Sequence, residues 1–358
     1  MVKGKKMDLK KALELFESDP NIVAVWENKE GKIVLAFKKK PDPKTLEALS
    51  YDNVIIFVSG EIVPLESLLP VAKSKREEKF RPCPAGVSVG HYKITAGTVG
   101  LCLHKKDGTP VLLSNNHVIA DSVVERGEGG KIGDPILQPG PHDGGTLEDK
   151  IATLYDVVPL KREEYNLVDA AIGKPLKEED LAYFDVFEYG KIEGWMKARE
   201  GMEVTKSGRS CAILSSIITS TNATVRVNYR ERGTFTFTQQ IIVPNPFGQP
   251  GDSGSPVIHG KGIVGLIYAG SPYLTVVCPF EPIKTRFDLD IEEIVEEGPP
   301  PPAPVYDFEG KLLIRQHKGK AAGWLKWWIF KFPISLDLDI YQTEGEVKGT
   351  AKPRKAEE

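Results

Sequence analysis

The spacing of apolar and polar positions divides the chain into segments of different texture. Residues 9–17 (LKKALELFE) bring Leu9, Ala12, Leu13, Leu15 and Phe16 together at near-helical spacing, which predicts an amphipathic helix. Two alternating runs, IVAVWE and KIVLAFK, follow and are joined by the turn residues Asn28 to Gly31, the pattern of a β-hairpin. PKTLEALS then predicts a short helix and NVIIFVSGEIV a strand, so residues 1–64 read as a small α+β module. Residues 65–82 mix Ser, Lys, Arg, Glu and Pro without a sustained period and read as a connector.

From about residue 86 to 282 short alternating runs recur between turn signals. They include GTVGLCLH, PVLLSNNHVI, DAAIGK, SCAILSSIIT, ATVRVNY, FTFTQQIIV, SPVIHG, GIVGLIYAG and LTVVCPF. So many short strands predict a mainly β, antiparallel body, either a sandwich or paired barrels. Residues 283–297 (IKTRFDLDIEEIVEE) read as a helix that closes this body, which is expected to span 83–297. GPPPPAP at 298–304 cannot continue a helix and predicts a stiff spacer. Beyond it KLLIR, WLKWWIFKF and ISLDLDIY alternate like strands, so 305–358 are expected to form a short β-rich appendage ending in a frayed tail.

Composition narrows the function classes. The 358 residues are 41% hydrophobic and 27% charged, with net charge −3 and a mean hydropathy of −0.24, values expected of a soluble globular chain. There is no basic excess to hold a phosphate backbone, so no nucleic-acid partner is expected. No run of 18 or more uncharged apolar residues occurs, and no membrane span is expected. The start, MVKGKKMDLKKALELF, lacks the uninterrupted apolar core and cleavage site of a secretory signal. Cys83, Cys102, Cys211 and Cys278 are few and scattered, which fits a reducing compartment, and a cytoplasmic location is expected.

Candidate chemistry lies in three short stretches. Gly251-Asp252-Ser253-Gly254-Ser255-Pro256-Val257 sits between two apolar strands. A serine hydroxyl becomes a nucleophile only when a base takes its proton and backbone N–H groups meet the developing oxyanion; glycine permits the tight backbone this requires. Gly251 and Ser253 would supply those N–H groups. LLSNNHVIA places His117 just after a buried-looking strand, a setting the other five histidines lack. Asp169, in NLVDAAI, enters a run of small apolar side chains where a carboxylate needs a partner, and the imidazole N–H of His117 would serve. Asp149 and Asp156 are rivals in more polar surroundings. His142 and Asp143 in PGPHDGG suggest a metal site, but the Gly/Pro density favours a surface turn; no metal or cofactor is expected.

The order His117, Asp169, Ser253 with GDSGSP resembles the chymotrypsin/trypsin-like serine peptidases. RPCPAGVSVGHYKITAGTVG, LLSNNHVIA, GDPILQPGPHDGG, NLVDAAIG, VTKSGRS and GQPGDSGSPV are similar to an intracellular bacterial and phage subgroup, across residues 81–282. The resemblance implies two antiparallel Greek-key β-barrels with the site in the cleft between them. It implies His117 as general base, Asp169 as its orienter, Ser253 as nucleophile, and Gly251 with Ser253 as oxyanion hole. It also implies that Phe247, Gly248 and Gln249 line the specificity pocket and that Tyr268, Ala269 and Gly270 form its wall. Neither stretch carries a charge, so an apolar or small side chain before the scissile bond is expected.

Three positions depart from the family pattern. Val118 replaces the usual cysteine after the histidine, leaving Cys102 without its customary partner. Ser255 stands where many relatives have glycine. Tyr268 stands where many have a small hydroxyl residue supporting the aspartate.

Three function classes follow: a serine endopeptidase acting on polypeptides, a catalytically weak protease-fold binding module, and a self-processing assembly component. The chain is expected to act uncut, with residues 1–80 attached and Asp252 held by an internal donor. The tail WLKWWIFKF, with three of the five tryptophans, is the candidate surface for a protein partner.

Overall fold

The computed structural model describes residues 5–65, 74–94, 96–125 and 127–295, together with the backbone of four strands between 306 and 353. The chain is mainly β, with α-helices at Leu9–Ser18, Pro43–Ala48, Asn116–Ile119 and Phe280–Phe287 among the described residues.

Two sheets carry the body. The first has seven strands in the order Gly97–Thr98, Ser88–His91, Pro135–Leu137, Lys150–Val157, Ala171–Pro175, Pro110–Ser114, Leu101–His104. Its two end strands are consecutive in the chain, separated only by Val99 and Gly100. Val99 N–H donates to the Val87 carbonyl and Gly100 N–H to the Leu113 carbonyl, both at 2.8 Å. The sheet therefore curls until its two ends meet.

The second sheet has twelve strands. Its core path runs from Ala212–Ile217 through Glu203–Gly208, Pro256–His259, Gly262–Gly270, Leu274–Pro279 and Thr234–Pro244 to Ser220–Asn228. The path then continues into the N-terminal strands Ile22–Glu27, Ile33–Phe37 and Val54–Val58. Ala24 pairs with Val225 and Val25 with Thr224, antiparallel. The N-terminal residues thus extend the sheet of the body, and residues 1–294 form one compact unit.

Side-chain alternation explains why this arrangement holds. Ile33, Leu35 and Phe37 point into a small core with Phe16 and Ala12 of the first helix. Val34 and Ala36, one residue out of phase, join the main core. Period-two packing on both faces turns IVLAF into a continuous buried run. Arg226 locks the junction: its guanidinium donates to the Ile22 carbonyl at 2.7 Å and lies 3.9 Å from the Phe16 ring centre.

Two segments differ from their sequence reading. The closing helix is Phe280–Phe287, earlier and shorter than 283–297; it ends where Asp288 adopts left-handed φ. Beyond it Leu289 and Ile291 are buried at alternate positions, a strand-like pattern, and Leu289 bridges Lys105. Within the connector, residues 74–82 are tied into the core. Arg76 is buried and donates to Ser207 Oγ at 2.7 Å, the Gly86 carbonyl at 2.9 Å and Glu188 at 2.7 Å.

Residues 295–358 form a second unit. Its backbone makes a four-stranded sheet in the order Tyr306–Asp307, Glu346–Pro353, Phe330–Thr343, Ala322–Trp327. The Pro-rich spacer 298–304, KLLIR at 311–315 and the last five residues lie outside the described residues.

Candidate active site

His117 sits in the one-turn helix Asn116–Ile119, immediately after the strand Pro110–Ser114. Asn116 pins this turn, donating to the Val123 and Val158 carbonyls at 2.9 Å each. Asp169 lies just before the neighbouring strand Ala171–Pro175, which pairs with Pro110–Ser114 through Ala171 and Ser114. That register sets the two side chains together: Nδ1 of His117 lies 2.7 Å from Oδ2 of Asp169. The His117 backbone N–H also donates to Oδ1 at 3.2 Å.

Asp169 is held from several sides, through its carboxylate and its backbone. Tyr229 donates its hydroxyl to Oδ2, and Asn115 Nδ2 donates to the Asp169 carbonyl at 2.7 Å. The Asp169 N–H donates to Cys278 Sγ at 3.2 Å. Burial, and then the neighbouring Asp169, push the Tyr229 hydroxyl well above its usual pKa, so it remains a proton donor to the carboxylate. Tyr268, the departure noted above, plays no such part. Its hydroxyl is buried and has no hydrogen-bond partner among the described residues, and its ring packs 4.9 Å from Phe237. Tyr229 supplies the supporting hydroxyl instead. The sequence carried that residue at the end of ATVRVNY, but nothing local links it to Asp169, sixty positions earlier.

Ser253 lies in the turn between Thr234–Pro244 and Pro256–His259. The strand Gly97–Thr98 couples this turn to the His117 side. Thr98 N–H donates to the Ser253 carbonyl at 2.7 Å, and Thr98 Oγ1 donates to the Gly251 carbonyl at 2.9 Å. A Cβ on Gly97 would lie 2.6 Å from Val118 and 2.8 Å from the Ser253 carbonyl oxygen, so only glycine lets both segments approach. Ser253 Oγ donates to the Tyr268 carbonyl at 3.1 Å. His117, Asp169 and Ser253 are all fully buried.

Gly251 adopts φ +99°, and a Cβ there would lie 2.2 Å from Ser210 Oγ, so the turn requires glycine twice over. Two buried cations brace it. Lys206 Nζ lies 2.6 Å from Asp252 Oδ2, both side chains fully buried, and Ser210 N–H donates to Oδ1 at 2.9 Å. The internal donor expected for Asp252 is therefore Lys206, the lysine of VTKSGRS. Arg209, three residues on, pairs through Nε with Asp143 at 2.6 Å and through Nη2 with Glu77 at 3.4 Å. Asp143 of PGPHDGG is thus a structural anion beside the turn, and no cluster of metal-ligating side chains occurs among the described residues.

The two segments expected to line a specificity pocket both lie against Leu65. Phe247 is buried in an apolar cluster with Val243, Val264 and Val277. Gly248 N–H donates to Thr275 Oγ1 at 2.9 Å. Gln249 N–H donates to Asp252 Oδ2 at 3.1 Å. Tyr268, Ala269 and Gly270, the expected wall, lie buried within the strand Gly262–Gly270. The side chain that enters between Gly248 and Gly270 is Leu65, from the chain's own connector. The four cysteines are free, and burial raises the thiols of Cys83 and Cys211 to about 12.

No protein-family model and no curated protein sequence matches this chain. Solved structures to which it is similar include a Nocardiopsis protease, 17% identical, TM-score 0.43, covering 58% of this chain and 97% of that one. Cellulomonas bogoriensis chymotrypsin is 18% identical with TM-score 0.41, covering 58% and 97%. A glutamic-acid-specific serine protease is 14% identical with TM-score 0.43, covering 59% and 100%.

Proposed function

We propose that this chain is a serine endopeptidase that cuts polypeptides through an acyl-enzyme intermediate, with Ser253 as nucleophile, His117 as general base and Asp169 as orienting carboxylate. In this reading the two sheets correspond to two Greek-key barrels of the trypsin-like kind, and the protein works inside the cell. The observation that carries the proposal is the His117 Nδ1–Asp169 Oδ2 contact of 2.7 Å on the far side of Gly97–Thr98 from the glycine-bound turn of Ser253. An imidazole whose Nδ1–H is held by a buried carboxylate presents Nε2 as a proton acceptor. The Ser253 hydroxyl turns from the Tyr268 carbonyl, gives its proton to Nε2 and attacks the substrate carbonyl, whose oxygen is received by the N–H groups of Gly251 and Ser253. Tyr229 acts as a positioning residue that keeps Asp169 aligned. The uncharged pocket of Phe247, Gly248 and Gln249, walled by Tyr268, Ala269 and Gly270, selects an apolar side chain before the scissile bond.

A fluorophosphonate probe tests the reading. One adduct on Ser253, absent in Ser253→Ala, is expected. A peptide library is expected to be cut after apolar residues, and a profile dominated by Lys and Arg would contradict the pocket assignment.

A further inference from the structure

Residues 63–65 occupy the position that the proposed chemistry reserves for a substrate. Val63 and Pro64 form a two-residue strand antiparallel to the pocket wall, with Pro64 opposite Ala269 and Val63 opposite Gly270. Leu65 N–H donates to the Tyr268 carbonyl at 3.2 Å, the same carbonyl that receives the Ser253 hydroxyl. The Leu65 carbonyl oxygen accepts the N–H of Gly251 at 2.7 Å. Its side chain is buried with Phe247, Val243 and Val264. It packs so closely that a Cβ on Gly248 would lie 2.9 Å from Cδ1 and one on Gly270 would lie 3.3 Å from Cδ2.

Each contact has a separate chemical meaning. The N–H that would receive a developing oxyanion already holds one carbonyl of this chain. The apolar pocket already holds the side chain of the same residue, and a short antiparallel ladder holds the two residues before it. A backbone bound by its N–H, its carbonyl and its side chain at once has its carbonyl carbon placed for attack. A merely structural strand would need the ladder but not the Gly251 contact.

We infer that the chain is its own substrate, and that Ser253 cuts the Leu65–Glu66 bond in cis. The inference rests on the serine-nucleophile reading. Ser253 Oγ bonds to the Leu65 carbonyl carbon as its proton passes to His117 Nε2, and the carbonyl electron pair moves onto the oxygen held by Gly251. Collapse of that oxyanion breaks the C–N bond, and the Glu66 nitrogen leaves with the proton from His117. Water then gives a proton to His117 and attacks the Leu65–Ser253 ester. The ester C–O bond breaks, Ser253 regains its proton, and a Leu65 carboxylate and a Glu66 amine remain. Because Lys206 already neutralises Asp252 in the uncut chain, the turn does not depend on cleavage. On this inference the chain is competent before it is cut, and it does not stay uncut. Its first 65 residues remain docked through the strand Ile22–Glu27.

The test follows full-length chain made by cell-free translation, using intact mass and N-terminal sequencing. Wild type is expected to yield two fragments whose masses sum to 39.5 kDa plus one water, the second beginning at Glu66. They are expected to travel together until denatured. The rate is expected to be unchanged on tenfold dilution. Ser253→Ala is expected to stay whole. Leu65→Asp, which puts a charge into the apolar pocket, is expected to slow cleavage by more than about a hundredfold while Ser253 still takes the fluorophosphonate. Wild type that stays whole while the Leu65→Asp chain labels at Ser253 would overturn self-cleavage and leave the peptidase reading standing. So would cleavage at another bond, or a rate that falls with dilution. Absence of both cleavage and label would overturn the peptidase reading itself.

Discussion

The N-terminal residues meet the body of the protein at two places built on opposite principles. At Ile22–Glu27 a strand extends the sheet, with one face in its own core and the other in the main core. At Val63–Leu65 two paired residues and one side chain lie against a turn that carries a serine. The first contact seats apolar side chains in two cores and involves none of the candidate catalytic groups. The second seats one apolar side chain, that of Leu65, and engages the backbone atoms on which the proposed chemistry depends. Attachment and reactivity are thus divided between the two places, so the segment in the cleft can be cut without the module being lost.

That division can be broken at either end. The largest effect is expected at the proposed nucleophile: Ser253→Ala should abolish peptide hydrolysis, and His117→Ala should lower kcat by roughly 10⁴–10⁶-fold, measured with an apolar peptide substrate. Neither substitution should loosen the Ile22–Glu27 junction. Lys206→Met leaves Asp252 as a buried, unpaired charge in the turn, and should cost about 3–5 kcal/mol in denaturant unfolding as well as turnover. At the other contact, Leu35→Ala opens a cavity in the small N-terminal core and should cost about 2–5 kcal/mol, with labelling of Ser253 retained. Tyr229→Phe removes one hydrogen bond from the Asp169 carboxylate, for about 1.5–3 kcal/mol. It should lower kcat more than it raises KM, because it acts on the alignment of His117.

The smallest effect concerns pH. Burial holds the His91 imidazole below its usual pKa of 6.5, despite Asp134 at 3.0 Å. The folded chain therefore binds this proton less readily than the unfolded chain. The His91 contribution to stability is present above pH 6.5 and is lost as pH falls through the lowered folded-state value. His91→Gln should flatten that part of the stability–pH curve.

The N-terminal elements, the strand-rich body and the stretches of the candidate site were legible because each is written locally. A helix at residues 9–18, a hairpin at Asn28–Gly31 and a glycine-framed serine need only their neighbours to be recognised. Pairing partners were not legible. Alternation says which face of Ile22–Glu27 is apolar, but not that Ser220–Asn228, some two hundred residues later, is its neighbour. Tyr229 and Lys206 were hidden for the same reason, since their meaning comes from a carboxylate brought beside them by the fold. Leu65 fell in a stretch without period because a strand of two residues has none to show. The closing helix was misplaced because its end at Asp288 and the bridges of Leu289 to Lys105 and Glu293 to Trp195 are set by partners far away in the chain.

The most direct test of the account is the stoichiometry and position of fluorophosphonate labelling on the Leu65→Asp chain, read by intact mass and peptide mapping. With the apolar occupant of the pocket replaced, the account predicts one adduct per chain, on Ser253, and none when Ser253→Ala is added. A chain that takes up no probe, or takes it up at another residue, would contradict the assignment of Ser253 as the nucleophile.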